Sequence, residues 1–186
     1  MQILEKNRQE IEAKVNKMSD FLQMEYLEAC LKKKMGIDVN KFCFMRLSEL
    51  YASKNMFSEA AKYISAATEI AVSLREKIQI YLKEMELLIK AGAYDKADFS
   101  LRKAMEEVVI EREQREIINT VKGYYKKQAL EFEKTGKNAN ATRIYEKLLT
   151  MSGGEEALEI RKKLLVLYEK IGKIREYMVL KKQLGL

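Results

Sequence analysis

Apolar residues recur at intervals of three and four along almost the whole chain of 186 residues, and strict alternation is never sustained. This spacing places apolar side chains on one face of an α-helix, whereas a half-buried β-strand requires alternation. The chain contains no proline, which would interrupt helices, and only eight glycines. The pattern therefore predicts an all-α protein. We expect helices at about residues 4–18, 20–35, 39–54, 58–73, 75–91, 95–110, 113–135, 139–151, 155–171 and 174–184.

Glycine residues and short polar residues indicate where these helices end and begin. Several glycines stand where a helix would end in a left-handed residue, and several polar residues that favour N-caps follow them. The glycines are Gly36, Gly92, Gly136, Gly153 with Gly154, and Gly172, and the polar residues are Asp38, Ser58, Asp95 and Asn138. Between Ala71 and Lys77 there is neither glycine nor proline, so the boundary there depends on the internal repeat alone.

The chain repeats one pattern four times, at spacings of 37, 44 and 36 residues. The copies begin at Phe44 (FMRLSELYASKNMFSEAAKYISAA), Tyr81 (YLKEMELLIKAGAYDKADFSLRKA), Tyr125 (YKKQALEFEKTGKNANATRIYEKL) and near Arg161. The first three place a small residue at the same offset, and these residues are Ala60, Ala97 and Ala141. Small side chains let two helices approach closely, so we expect these alanines at helix–helix contacts.

This pattern resembles the tetratricopeptide repeat family over about residues 41–184. The first copy matches the family best, at Phe44, Leu47, Ser48, Tyr51, Phe57, Ala60, Ile64 and Ala67, with Asn55 at the turn. The second copy departs at Glu84 and Met85, where the family has leucine and a small residue. The third has Gln128 for that leucine, and the fourth has Tyr177 for the alanine on the second helix.

The resemblance implies a right-handed α-solenoid of antiparallel helix pairs, a superhelix of nine or ten helices. The length of 186 residues suits one domain, so we expect a single helical-repeat domain over residues 1–186. Within it, residues 1–38 would form N-terminal helices or a cap, and the helix pairs would lie at 39–72, 75–110, 113–151 and 155–184.

The resemblance also implies a binding surface. Members of the family bind peptides in a concave groove lined by the first helix of each pair. The residues that occupy groove positions in this chain are Phe42, Met45, Glu49, Gln79, Leu82, Glu86, Lys126, Leu130, Lys162 and Val166. The groove would change from apolar and acidic at its N-terminal half to basic at its C-terminal half, with apolar anchors of the ligand bound in the first half.

The charge of the chain supports a second interpretation. The formal net charge is +7, and residues 1–120 carry 20 basic and 20 acidic side chains. Residues 121–186 carry 15 basic and 8 acidic side chains, so the whole excess lies in the last third. That excess indicates either a solvated basic surface or a surface for an acidic peptide, RNA or anionic lipid. The alternative to a peptide-binding adaptor is therefore a helical-repeat RNA-binding module.

Other features argue against an enzyme. The chain has no histidine, no glycine-rich phosphate loop, and an acidic sequence, MSGGEE, around its one Gly-Gly pair. Cys30 and Cys43 alone cannot form a zinc site, so we expect no metal, no cofactor, and two buried, reduced thiols. The first residues, MQILEKNRQEIEAK, lack an apolar signal core, which favours a cytoplasmic location.

The N-terminal segment carries an apolar stripe with heptad spacing. Its members are Leu4, Ile11 and Met18, and on a second seam Val15, Leu22 and Ala29. The stripe suits packing on the first helix pair, self-association into a homodimer, or transient contact with a membrane surface.

Overall fold

The computed structural model describes residues 3–33 and 35–186. Within these residues the chain forms ten α-helices and no β-strand, so the prediction of an all-α protein is confirmed. The helices are α1 (Arg8–Val15), α2 (Asp20–Lys32), α3 (Ile37–Ser53), α4 (Phe57–Thr68), α5 (Leu74–Lys90), α6 (Tyr94–Glu106), α7 (Glu111–Lys134), α8 (Asn138–Met151), α9 (Gly154–Ile171) and α10 (Ile174–Gln183). Residues 1 and 2 of the predicted cap and residue 34 of the predicted helix 20–35 lie outside the described residues.

The same turn occurs four times, after α3, α5, α7 and α9. In each, a left-handed residue ends the helix, at Asn55, Gly92, Gly136 and Gly172, with φ between 60° and 74°. The amide of the next residue donates to a carbonyl five residues earlier, as in Met56 N to Tyr51 O at 2.9 Å and Lys173 N to Tyr168 O at 2.9 Å. This is the Schellman arrangement, which satisfies the last carbonyls of a helix. The turns recur at the repeat spacing, so the helices form consecutive pairs compatible with a helical repeat.

Some predicted boundaries are wrong. Gly36 (φ −59°) and Gly153 (φ −132°) are not left-handed and precede α3 and α9 as N-cap residues. The predicted N-caps lie instead inside the first turns of their helices: Asp38, Ser58, Asp95 and Asn138. The backbone at Met56, Ala93 and Lys137 explains why α4, α6 and α8 begin earlier than predicted. The residue after each left-handed position takes φ between −80° and −90° with ψ near 60°, and the helix starts immediately after it.

Capping-box arrangements begin α1 and α5, two of the helices that do not follow such a turn. The Glu10 amide donates to Asn7 Oδ1 at 3.0 Å, and the Lys6 amide donates to Glu10 Oε2 at 2.9 Å. At α5 the Glu76 amide donates to Ser73 Oγ at 3.2 Å, and Glu76 accepts from the Val72 amide at 3.0 Å. Each box satisfies two amides that a helix start leaves unpaired. The first box places the start of α1 at Arg8, later than the predicted residue 4. The second places the start of α5 at Leu74, within the segment 71–77 where the sequence has neither glycine nor proline.

The chain divides at Val109 and Ile110 into two compact units, here called the N-terminal unit and the C-terminal unit. In the N-terminal unit each helix from α2 to α5 packs on the next, and α1 packs on α3. In the C-terminal unit α7 packs on α8, α8 on α9 and α9 on α10. The single-domain interpretation of residues 1–186 stays a prediction.

The small residues of the repeat are buried. Ala60, Ala97 and Ala141 lie in the helix interfaces, as do Ala67 and Ala104 on the same second helices. Their predicted burial is confirmed. A leucine at any of these positions would push the helices apart, at a cost of about 1–3 kcal/mol.

The N-terminal stripe packs inside the N-terminal unit. Ile11 and Val15 are fully buried in one cluster with residues of α2 and α3, and Met18 packs against that cluster. Leu4 and Leu22 are exposed. The first of the three interpretations of this stripe, packing on the adjacent helices, therefore describes its central residues.

The two cysteines belong to that same cluster. Cys30 on α2 and Cys43 on α3 are both buried free thiols. A hydrogen bond to Cys30 and the burial of the group raise the pKa of Cys43.

None of the described helices is both long enough and apolar enough to cross a bilayer.

Candidate functional site

In each unit the first helices of consecutive pairs are joined by an ion pair at corresponding repeat positions. In the N-terminal unit Lys41 Nζ of α3 lies 2.8 Å from Glu76 Oε1, at the start of α5. In the C-terminal unit Lys122 of α7 pairs with Glu156 of α9. Both lysines stand three residues before the first residue of a copy, and both glutamates stand five residues before the next. We call the side formed by α3 and α5, and the side formed by α7 and α9, the first-helix surfaces.

These ion pairs shift the pKa values of the carboxyl groups. Lys122 and, next, Lys126 hold the pKa of Glu156 at about 2, and Lys126 Nζ lies 2.6 Å from Glu156 Oε1. The pKa of Glu76 is lowered by Lys41 and by the Val72 amide. Both carboxylates therefore remain ionised at neutral pH and hold neighbouring first helices together.

The first-helix surface of the N-terminal unit carries the six predicted groove residues from Phe42 to Glu86. Phe42, Met45 and Leu82 are half-buried. The guanidinium of Arg8, on α1, lies 5.4 Å from the centre of the Phe42 ring and partly covers it. The apolar side chains of this surface are therefore less available than the sequence predicted.

The two acidic groove positions of the N-terminal unit pair with lysines of α5. Glu49 Oε1 lies 3.3 Å from Lys83 Nζ, which links α3 to α5 a second time. Glu86 Oε1 lies 2.7 Å from Lys90 Nζ on the same helix. Gln79 is exposed. Any ligand on this surface would meet charges that are already paired.

The first-helix surface of the C-terminal unit presents more apolar area. Leu130 on α7 is 44% exposed, and Val166 on α9 is 49% exposed. They occupy the same repeat position, on helices that Glu156 joins through Lys122 and Lys126. An apolar pair of this kind can contact two side chains of one ligand.

The lysines of this surface are less available than expected. Lys126 pairs with Glu156, and Lys162 Nζ lies 3.0 Å from Glu159 Oε1. The order predicted for the groove, from apolar and acidic to basic, stays a prediction, and its basic residues Lys126 and Lys162 are paired. Apolar exposure is greater at Leu130 and Val166 than at Met45 and Leu82.

One residue of this surface was missed by the sequence reasoning. Leu158 is 39% exposed and lies on α9 four residues before Lys162 and eight before Val166. This i, i+4, i+8 spacing places the three side chains on one helix face. The spacing was visible in the sequence, but Leu158 precedes the part of the repeat to which the family positions were assigned.

The described residues can be compared with the arrangements that hold metal ions. Among residues 3–33 and 35–186, no group of three or more Cys, Asp or Glu side chains has an arrangement that could hold a metal ion. The first-helix surfaces combine aliphatic side chains with paired charges, a composition suited to binding a peptide.

Comparison with known proteins adds little to this description. No protein-family model and no curated protein matches the sequence. Among solved structures, the chain is similar to BtubC (BKLC) from P. vanneervenii, with 12% sequence identity and a TM-score of 0.41. The match covers 94% of this chain and 75% of that chain. Similarity at this level carries no inference about fold or function.

Proposed function

We propose that the chain is a non-enzymatic adaptor of the tetratricopeptide type, a right-handed stack of antiparallel helix pairs in the cytoplasm. Its first-helix surfaces bind a peptide segment of a partner protein. The observation that carries the proposal is the exposure of Leu130 and Val166 at equivalent positions of neighbouring first helices. The four recurring Schellman turns support the repeat on which this equivalence rests.

The geometry of the pair suggests the ligand. Helices α7 and α9 both pack on α8 and are joined by the ion pairs of Glu156, so we take equivalent side chains on them to lie about one helix spacing apart, about 10 Å. An extended peptide advances about 3.3 Å per residue. A peptide crossing both helices would therefore place apolar side chains about three residues apart on Leu130 and Val166. Burying the exposed half of each side chain contributes about 1 kcal/mol per residue.

The experiment starts from peptides selected from a displayed random library against the folded chain, which are then labelled and titrated by fluorescence anisotropy. We expect selected peptides with two apolar residues about three positions apart. The double variant Leu130→Glu, Val166→Glu should weaken their binding by about tenfold or more. The matched control is Ile174→Glu, an equal change on α10 at a side chain that is 71% exposed. Equal effects of the double variant and the control would contradict the proposal.

The RNA-binding alternative rests on the basic excess after residue 120. Several of the basic side chains in that region are already paired with glutamates, including Lys122, Lys126, Lys162 and Lys173. A labelled oligouridylate separates the two functions, because phosphate contacts weaken steeply with salt whereas apolar contacts do not. Tight, strongly salt-dependent RNA binding, together with peptide binding that ignores the double variant, would favour the alternative.

A further inference from the structure

A second cleft lies outside the first-helix surfaces, within the N-terminal unit. Its walls are α4 and α6, its floor is α5, and its volume is about 460 Å³. The walls are formed largely by small side chains, among them Ala61, Ser65, Ala66 and Ser100. Small residues here leave an open space where larger side chains would close the gap between the two helices.

The floor of this cleft holds a buried carboxyl group. Glu84 is only 8% exposed, and it lines the cleft. The equivalent positions of the first and fourth copies hold leucines, Leu47 and Leu164, both buried. No ion pair within 4.0 Å reaches Glu84 among the described residues, and Lys103 is the cation whose charge acts on it. The Lys103 ammonium lies over the Phe99 ring, 4.8 Å from its centre.

Burial dominates the titration of Glu84. Desolvation raises its pKa, and the hydroxyl groups of Ser65 and Ser100 oppose that rise only in part. A buried carboxylate without a bound cation destabilises the folded chain, so packing does not explain this residue where leucine would fit. A ligand cation placed against Glu84 would supply the missing charge.

The charged groups along the cleft have an order. Lys96 lines it near the start of α6, and Lys62 lines it at the middle of α4, where its Nζ also lies 2.8 Å from Glu59 Oε1. Glu69, Glu106 and Glu107 line the continuation at the other end, a further volume of about 340 Å³, together with Lys77 and Lys103. Lysines therefore lie at one end of the cleft, a single buried carboxyl group lies beyond them, and charges of both signs lie at the other end.

The length of the cleft fits a short extended chain. The 12 residues of α4 span about 18 Å, at 1.5 Å per residue. An extended peptide covers that distance with about five residues. Lys62 and Lys96 stand about one helical turn before Ser65 and Ser100, which flank Glu84. An acidic and a basic residue two positions apart in a peptide would reach the lysines and Glu84 together.

We propose that the cleft between α4 and α6 binds an extended peptide segment that places a lysine or arginine side chain on Glu84 and an acidic residue against Lys62 and Lys96. This site is distinct from the first-helix surfaces and does not depend on the function proposed for them. The cleft would recognise its peptide by the order of acidic and basic residues, whereas the first-helix surfaces would recognise apolar side chains.

The binding should depend on pH. The charged and titratable groups that face Glu84 are Lys62 and Glu69 on α4, Tyr81 on α5, and Lys96 and Lys103 on α6. Because the pKa of Glu84 is raised, this group takes up a proton before ordinary carboxyl groups do as the pH falls. Lowering the pH from about 7.5 to about 5 should therefore weaken binding of a cationic side chain.

The test uses NMR titration of the full ¹⁵N-labelled chain with two probes, acetyl-Glu-Gly-Lys-amide and acetyl-Lys-Gly-Glu-amide. We expect at least one probe to shift amide resonances of α4, α5 and α6. Replacing its lysine with acetyl-lysine should weaken binding about tenfold or more, and replacing its glutamate with glutamine should also weaken it. Both probes failing to shift these resonances would overturn the proposal, as would acetyl-lysine binding as well as lysine.

Protein variants locate the site. Glu84→Gln should weaken binding by about tenfold or more and remove its pH dependence, and Lys96→Gln should weaken it less. The matched control is Glu86→Gln, which lies on the same helix and lines neither part of the cleft. Unchanged binding by Glu84→Gln would overturn the proposal. If that variant did not fold, the comparison of lysine and acetyl-lysine probes on the unaltered chain would still show whether the cleft binds a cationic side chain. The variant Leu130→Glu, Val166→Glu should bind the probe normally, which separates this test from that of the proposed function.

Discussion

Replacing Glu84 with leucine should stabilise the protein. The variant restores the residue that the first and fourth copies carry at this position, where Leu47 and Leu164 are buried. Burying a leucine side chain contributes about 2 kcal/mol. Removing a buried carboxyl group that lacks an ion-pair partner removes a cost of about 1–3 kcal/mol. Because the cleft above Glu84 is open, part of each contribution is lost, and we expect a net gain of about 1–3 kcal/mol at neutral pH.

The gain should also depend on pH, with a sign that the structure determines. The folded chain raises the pKa of Glu84 above 4.5, so between that value and the raised pKa the folded state binds more protons than the unfolded state. Lowering the pH through this interval therefore stabilises the unaltered protein relative to the variant. The advantage of Glu84→Leu should be greatest at neutral pH and should shrink toward pH 4.5.

Urea unfolding followed by circular dichroism, at about pH 7.5 and about pH 5, measures both effects. Glu84→Gln removes the charge but leaves a polar side chain, as Gln128 is at the equivalent position of the third copy. It should therefore increase the free energy of unfolding less than Glu84→Leu does. Glu86→Gln, whose carboxylate pairs with Lys90 at the surface, should change the free energy of unfolding by less than about 0.5 kcal/mol. Destabilisation by Glu84→Leu, or a gain that increases at low pH, would refute the reasoning.

Three further variants test other parts of the structure. Ala60→Asp should lower the free energy of unfolding by several kcal/mol, about 3 or more, because it buries an unpaired charge between helices; near-normal urea unfolding would contradict this. Leu82→Glu should leave the circular dichroism spectrum unchanged and should weaken the selected peptides less than the double variant Leu130→Glu, Val166→Glu does, because Leu82 is half-buried and belongs to the N-terminal unit; an equal loss in anisotropy titrations would contradict this. Replacing Cys30 and Cys43 with serine should leave peptide binding unchanged, and both thiols of the folded chain should react with a thiol reagent far more slowly than in urea, since both are buried.

The helices could be predicted because their boundaries depend on local backbone chemistry. Asn55 and Gly92 stand at the same position of their copies, and both residue types tolerate the left-handed conformation that a Schellman turn requires. The errors have the same local origin. Asn7 and Ser73 each stand three residues before a glutamate, a capping-box signature that was present in the sequence. The apolar periodicity continues past both residues, and following it alone placed the helix ends too far out.

The candidate binding residues were less predictable, because exposure depends on distant parts of the chain. The resemblance assigns both Met45 and Leu130 to the groove, but it cannot show that Met45 is half-buried while Leu130 is 44% exposed. The covering of Phe42 by Arg8 joins residues 34 positions apart, on α3 and α1. The pairing of Lys126 with Glu156 likewise depends on how α7 and α9 both pack on α8.

Glu84 shows that one copy of the repeat can differ at a buried position without losing the turn that pairs its helices. The turns and the small residues of the second helices determine how consecutive helices pack, and a change such as Ala60→Asp acts on that packing directly. Glu84 departs from the repeat at a position where leucine would stabilise the chain, yet all the copies form the same turn. A destabilising carboxyl group can persist when it contacts a ligand, because bound ligand stabilises the folded state by mass action. If the charged probes bind at Glu84, then Glu84→Leu should both stabilise the folded chain and abolish probe binding. The same carboxyl group would then account for both effects.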